Sequence, residues 1–448
     1  MRIFETRRSI CILLCAIVDN MMSGILEKFQ SPGKGNGVRA LKDMSHGLTV
    51  MIAEPYVYTV CRIKTACDHC LHRKEKLLRC SQCKVARYCN SHCQRKAWQG
   101  HKRECKCLRS TLPNVPPNSV RLVGKIIFKM LQKPDTASEE LYTISDLQSH
   151  IKEASEEVKD GLRHLATALQ HYLKEEIQEI SQLPPGFQVL EYFGKVSAKV
   201  TCNSFTISDG EMQDVGVGLY PSMSLLNHSC DPNCVIVFEG TCLLLRTVKE
   251  IPKGEELTIS YIDVKMPTQG RRDQLQRQYC FLCDCQRCLL RDKDEDMLAG
   301  DAEASREVES SVSRLEELLS QNTAEEALNL CKTLMNRYYL PDKNIYQLKI
   351  LDCAMDASID LGLWEEALHF GLRTLEPYSL YYSNYHPVRA VQLMKVGKLQ
   401  NYQGLFAEAM KTLKQAFDIM KVTHGRDHGQ TQQLAELMND CEANMRGM

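Results

Sequence analysis

Aromatic residues are scarce in this 448-residue chain, 7% with two tryptophans, and net charge is missing, since 56 basic side chains offset 56 acidic ones. Without a global field the protein is not drawn wholesale onto nucleic acid or lipid. Glycine and proline are few, 24 and 15, which excludes collagen-like and low-complexity classes. Long apolar runs are missing too: the stretch Ile10–Val18 has nine residues, and a bilayer span needs about 20. Arg7 and Arg8 precede it, as in a secretory signal, but Asp19 and Asn20 stand where a small-residue cleavage site would be. With Met21 and Met22 offering later starts, residues 1–22 read as an atypical leader that adds nothing to the fold. What remains is a soluble globular chain, 44% hydrophobic and 25% charged, long enough for two to four domains.

Cysteine is abundant. Of 22 in all, eight fall between Cys67 and Cys107 and four between Cys280 and Cys288. Clustered C-x-x-C pairs beside histidines indicate zinc ligands in a reducing, intracellular compartment rather than disulfides. The first run is Cys67-x2-Cys70-x9-Cys80-x2-Cys83-x5-Cys89-x3-Cys93-x7-His101-x3-Cys105. Eight donors make two closed tetrahedral sites, and a segment this poor in large apolar side chains needs the metals to fold. Spacing leaves open which pairs share an ion. Residues 67–109 carry twelve Lys/Arg against three Asp/Glu, a patch suited to phosphate, to an acidic partner or merely to solubility. In the second run Cys283, Cys285 and Cys288 lack a fourth ligand, for which Cys280 and Cys230 both qualify.

Between the cysteine clusters the pattern alternates. Gly24–Pro55 suits short strands and turns, and helical periodicity runs from about Ser119 to Gln182 before Pro184-Pro185-Gly186. Within 196–262, VSAKVTCNSFTI, CVIVFEG, CLLLRTV and ELTISYI read as strands. Residues 292–309 hold eight acids and two bases, a solvated linker. Beyond it the chain is helical, with Ala327, Ala367 and Ala409 recurring at intervals of 40 and 42, which suits stacked, tetratricopeptide-like helix pairs.

Two further segments are dense in polar side chains beside apolar runs: MSLLNHSCDPNC at 223–234 and EELTISYID at 255–263. Either alone is an ordinary polar turn. Taken with Lys34-Gly35-Asn36-Gly37, CNSF at 202–205 and the cysteine tail, they resemble the SET domain of protein lysine methyltransferases. A SET domain interrupted by a cysteine-rich finger and followed by helices is similar to the SET- and MYND-domain methyltransferases. The resemblance runs from about Leu26 to the C-terminus, with 216–234 and 344–357 nearest to one member of that family.

That resemblance implies an α+β multidomain protein: a SET β-fold split by a two-zinc MYND finger, with a helical insert, a post-SET zinc motif and a C-terminal tetratricopeptide-like helical domain. Its boundaries would be 23–66 and 201–263 for the SET parts, 67–105 for the finger, 106–200 for linker and insert, 264–290 for the post-SET tail and 291–448 for the helices. The implied activity is methyl transfer from S-adenosylmethionine to lysine in histone tails and other proteins. Three zinc ions are implied, held by Cys67, Cys70, Cys89 and Cys93; by Cys80, Cys83, His101 and Cys105; and by Cys230, Cys283, Cys285 and Cys288. Lys34, Asn36, Tyr142, Asn203, Ser224, Asn227, His228 and Phe281 match cofactor positions. Tyr261 matches the active-site tyrosine, also beside the cofactor, and Phe205, Asp214, Asp263 and Tyr279 match substrate positions.

The chain departs from the family at Lys34, where arginine is common, at His150, where asparagine is expected, and at VSAKV, which looks like a small insertion. The rival reading is a non-catalytic adaptor in which finger and helices recruit transcription partners. A monomer is expected in cytoplasm and nucleus, away from membranes, with proline-containing peptides or nucleic acid as possible finger ligands.

Overall fold

The computed structural model describes residues 24–132, 142–144, 146–149, 155–174, 189–321 and 323–446. The leader 1–22 and His150 lie outside them.

The first two strands, β1 (Leu26–Ser31) and β2 (Gly35–Ala40), form an antiparallel hairpin. Its turn closes through the Lys34 amide on the Ser31 carbonyl at 3.0 Å, and Gly33 and Gly35 supply the positive φ that a chain reversal this tight requires. Next come β3 (Thr49–Ala53), β4 (Val57–Val60) and, inside the cysteine-rich segment, the short pair β5 (Leu78–Arg79) and β6 (Arg87–Tyr88). Helices α1 (Ser91–Ser110), α2 (Asn118–Gln132), α3 (Glu156–Tyr172) and α4 (Val189–Asn203) follow. The rest of the β region is β7 (Ser204–Ser208), β8 (Asp214–Leu219), β9 (Asn227–His228), β10 (Cys234–Glu239), β11 (Cys242–Thr247) and β12 (Thr258–Ile259).

Small sheets result, ordered β4-β8-β7 and β10-β11-β3, and strand β12 pairs in parallel with β9. Every residue of β11 is buried, as befits a central strand covered on both faces. One expectation needs correction. VSAKVTCN is not a strand but the end of α4, and its Val-Ala-Val alternation is deceptive: Val196, Ser197, Ala198 and Val200 are all buried. That crowding is a helix face, whereas a half-buried strand buries every second residue.

The tail carries α5 (Thr268–Tyr279), α6 (Gln286–Leu290) and α7 (Asp294–Met297), and the C-terminal region consists of α8 (Ala302–Ser320), α9 (Ala324–Arg337), α10 (Ile345–Asp360), α11 (Trp364–Tyr381), α12 (Pro387–Tyr402), α13 (Phe406–Thr423) and α14 (Gly429–Arg446). Ala327, Ala367 and Ala409 are fully buried near the starts of α9, α11 and α13, as the sequence interval implied. Gly362 and Gly404 (φ +72° and +76°) make the turns before α11 and α13. The helices are fastened to the β region by Arg246 of β11. Its Nε donates to the Val422 carbonyl of α13 at 2.9 Å, Nη2 to Gly47 at 2.5 Å, and Nη1 to the Thr49 hydroxyl.

Candidate active site and metal centres

Three sets of four donors converge, each set lying within 4.8 Å: Cys67, Cys70, Cys89 and Cys93; Cys80, Cys83, His101 and Cys105; and Cys230, Cys283, Cys285 and Cys288. A tetrahedral zinc with Zn–S near 2.3 Å has edges of roughly 3.8 Å. The pairs Cys70–Cys89 at 3.6 Å, Cys80–Cys105 at 3.8 Å and Cys230–Cys283 at 4.0 Å match that spacing. Donor chemistry and spacing both suit zinc. The fourth member of the last set is Cys230; Cys280 instead sits at the left-handed C-terminal residue of α5. Cys107 is buried outside all three sets.

Helix α1 supplies His101 and Cys105, and its Asn90 cap accepts the Cys93 amide at 3.0 Å. Sequence reading missed the support behind His101. Its Nδ1 lies 3.2 Å from Glu104, leaving Nε2 beside Cys83 at 3.5 Å, the carboxylate–histidine arrangement that orients a metal ligand. Glu104 is wholly buried and meets the wholly buried Arg121 of α2 at 2.8 Å and Lys125 at 3.1 Å. Arg121 continues to the Val60 carbonyl at the end of β4, at 3.4 Å. The cysteine-rich segment is thereby fixed to the β core.

A polar cradle forms where β2, β9 and the start of β12 meet. The Asn227 side-chain amide donates to the Asn36 carbonyl at 3.1 Å and to Glu256 at 2.7 Å. Glu256 also accepts from the Ser31 hydroxyl at 3.0 Å and stands 4.0 Å from the Lys34 ammonium. Asn36 donates to the buried Tyr142 hydroxyl at 3.4 Å. A Cβ on Gly37 would lie 2.5 Å from Glu256 Oε1 and 3.0 Å from Asn227 Nδ2, so glycine is needed for this approach. Nothing in the 255–263 segment marks Glu256 for this role, since one of its partners, Ser31, stands 225 residues earlier.

Asn203 and Ser224 form a second group. The Ser224 hydroxyl donates to the Asn203 carbonyl at 3.3 Å, and the Asn203 amide donates to Lys199 and Gln148 carbonyls at 2.7 and 3.0 Å. Asn203 Oδ1 makes no hydrogen bond among the described residues.

Tyr261 stands between the cradle and the cysteine tail. Its hydroxyl donates to the Leu226 carbonyl at 2.5 Å, and its amide donates to His228 Nδ1 at 3.0 Å. His228 Nδ1 is therefore an acceptor, which puts the ring proton on Nε2, 3.3 Å from Cys230 Sγ. Burial pushes the His228 ring down to about 4, so it is neutral. Desolvation, then Tyr279 and Glu256, push the Tyr261 phenol above its ordinary range. The Tyr261 ring lies 4.8 Å from Tyr279 and 6.3 Å, edge-on, from Phe281.

Not every expected residue joins this group by direct contact. Phe205 rests edge-on against Tyr220 at 5.8 Å, though it borders the same apolar core as Tyr261. Asp214 is exposed at the start of β8, its carbonyl held by Arg62 at 2.8 Å, and no contact among the described residues joins it to Tyr261. Asp263 is exposed two residues beyond Tyr261 and accepts the Tyr382 hydroxyl at 2.8 Å.

The SET domain family description matches residues 35–262, the span that carries β2, the parallel β9–β12 contact and the tyrosine. Histone-lysine N-methyltransferase SMYD3 of Mus musculus and of Homo sapiens are each 54% identical over 425 residues, 94% of this chain and 98% of theirs. N-lysine methyltransferase SMYD2 of Homo sapiens is 35% identical over 424 residues, 90% of this chain and 96% of its own. The chain belongs to the SMYD family of SET-domain lysine methyltransferases.

Proposed function

We propose that this protein transfers a methyl group from S-adenosylmethionine to the side-chain amine of lysine in histones and other proteins. The observation that carries the reading is Tyr261: a neutral, desolvated phenol anchored to the Leu226 carbonyl, with aromatic rings packed on it and close enough to the Asn36–Asn227–Glu256 cradle for the Glu256 charge to act on it. The cradle fits a zwitterionic cofactor. Lys34 and the Asn36 side chain offer donors to a carboxylate, and Asn203 Oδ1, without a hydrogen bond among the described residues, offers an acceptor to an ammonium. The family resemblance would set Ser224, Asn227 and His228 against the same cofactor, with Tyr142 and Phe281 enclosing its nucleoside. When bound, the cofactor supplies an electrophilic methyl on a positive sulfonium.

The remaining chemistry belongs to the chain. An amine must arrive uncharged and in line, and alignment supplies much of the rate. Tyr279, Phe205 and Phe281 exclude water, which disfavours an ammonium. Tyr261 is not the base, because its raised pKa keeps the phenol protonated near neutrality; the amine proton leaves to solvent. The tyrosine instead positions the methyl and amine by weak C–H···O contacts. Asp263 and Asp214 meet the substrate chain.

The three donor sets would hold zinc: two in a MYND finger at 67–105, one in a post-SET tail at 264–290. Between the SET parts at 23–66 and 201–263 also lies a helical insert at 106–200. The helices of 291–448 form a tetratricopeptide-like wall, and the finger's basic surface suits an acidic or proline-containing partner. We place the protein in cytoplasm and nucleus as a monomer. A non-catalytic adaptor would have no need of the half-buried cradle.

The test is incubation with radiolabelled S-adenosylmethionine and a histone mixture. Wild type should label histones, and Tyr261→Phe should lose about 100-fold or more in kcat, the usual scale for one positioned active-site group, while cofactor affinity stays within about threefold. Full activity in Tyr261→Phe refutes the assignment.

A further inference from the structure

The C-terminal helices reach Asp263 with an unusual set of donors. Asp263 Oδ1 accepts from the Lys265 amide at 2.9 Å and from the Tyr382 hydroxyl, just beyond α11, at 2.8 Å. Both donors are neutral, so they fix the carboxylate without cancelling its charge. Asp263 Oδ2 makes no hydrogen bond among the described residues.

The nearest cation in sequence is taken elsewhere. Lys265 Nζ pairs with Asp352 of α10 at 2.8 Å, and its ammonium lies 4.8 Å over the Tyr378 ring. Asp352 is held in turn by the Tyr378 hydroxyl at 3.1 and 3.2 Å. Tyr378 and Tyr382 pack 5.4 Å apart, and the His386 ring lies 4.3 Å behind Tyr382. The same apolar cluster contains Ile262 and Val264, which flank Asp263, together with Tyr261, Tyr279 and Phe281. An oriented carboxylate with no direct ion pair among the described residues is thus built into the rim of the tyrosine site, and the C-terminal region does the orienting.

We infer that Tyr382 is a positioning residue for substrate recognition: it holds Asp263 so that Oδ2 receives the cationic side chain of a basic residue flanking the target lysine, while Asp352 keeps Lys265 from filling that place. This deepens the lysine methyltransferase reading and rests on it. Charge attraction at an exposed rim acts on substrate capture and is screened by salt.

The experiment compares two peptides that share a target lysine, one flanked by arginine and one by citrulline, on the full-length zinc-loaded protein. Wild type should favour the arginine peptide by about three- to tenfold in KM, the scale of one partly solvated charged hydrogen bond, with kcat unchanged between peptides. Raising salt should erode the preference. Tyr382→Phe, which loses a single hydroxyl from a buried ring, should cut the preference to about twofold or less while the citrulline peptide's KM holds. Asp263→Asn should abolish the preference, and adding Tyr382→Phe to it should change nothing further. Equal KM values for the two peptides in wild type, or a wild-type preference kept in Tyr382→Phe, overturn the inference while leaving methyl transfer standing. A wild type that methylates neither peptide overturns the reading beneath it as well.

Discussion

Gly37→Ala tests whether the polar cradle is the cofactor site. The added Cβ would sit 2.5 Å from Glu256 Oε1, 3.0 Å from Asn227 Nδ2 and 3.0 Å from the Phe29 ring. The ring is rigid, so the Glu256 carboxylate must retreat by roughly 1 Å to regain ordinary contact. That retreat stretches its bonds to Asn227 at 2.7 Å and Ser31 at 3.0 Å. A hydrogen bond to a charged acceptor is worth about 1.5–3 kcal/mol when buried. Glu256 is 19% exposed, so water replaces part of each bond and the net loss falls to about 1–2 kcal/mol. In cofactor Kd that is about five- to thirtyfold. The same stretched bonds also weaken the fold, and alanine in a strand returns only about 0.5–1 kcal/mol of that, so the melting temperature should drop by no more than a few degrees. Calorimetric titration with S-adenosylmethionine, beside a thermal melt, separates the two effects. Affinity within twofold of wild type would refute the placement of the cofactor against Asn36 and Asn227.

Zinc analysis by a chromogenic chelator after denaturation should find three equivalents in wild type, in Cys280→Ser and in Cys107→Ala, but two in Cys230→Ser. Glu104→Ala should cost about 3 kcal/mol in urea unfolding, because Arg121 is left buried with only Asp68, 3.6 Å away, as its counter-charge. Glu104→Leu combined with Arg121→Met removes that stranded charge but leaves the buried Asp68 unpaired in turn, so it should regain only part of the stability, yet release zinc about 10–100 times more readily, because His101 still lacks its orienting acceptor. Burial, more than the opposing influence of Asp263, pushes the His386 ring down from 6.5 to about 4. The unfolded chain therefore binds a proton that the folded chain refuses, so stability falls as pH drops from 6.5 towards 4. His386 Nδ1 accepts the Val388 amide at the start of α12 at 3.3 Å, a bond that the protonated ring cannot make. His386→Asn keeps an acceptor there and should flatten the acid limb of a melting-temperature profile.

The metal ligands were legible because sulfur chemistry fixes spacing locally: C-x-x-C is a sentence complete in four residues. Cys230 was not legible from spacing, since it lies 53 residues before Cys283 and reaches it through the fold. Asn36, Asn227 and Tyr261 were found by resemblance, and the structure brings the first two into contact and sets the third beside His228. Glu256 and Glu104 escaped because an isolated acid in a sequence looks like a solvated one. Their meaning lies in partners that only the fold brings to them: Ser31, 225 residues before Glu256, and Arg121 on the helix after that of Glu104. The strand assigned to VSAKVTCN failed for another reason: β-branched alternation is a weak preference, and the surface offered by the neighbouring helices overrode it.

Arg246 gives the helical region a hold on the β sheet that resembles a keystone more than a glued seam. The guanidinium spans Gly47, Thr49 and Val422, and it meets α13 at its C-terminal, electronegative end. Severing the chain after residue 290 would therefore not yield a lean enzyme. It would leave a cation near the end of β11 without its α13 carbonyl, leaving the remaining domain to warp or find a substitute. Splice forms and expression fragments lacking these helices should therefore be judged by their folding before their silence is blamed on substrate choice.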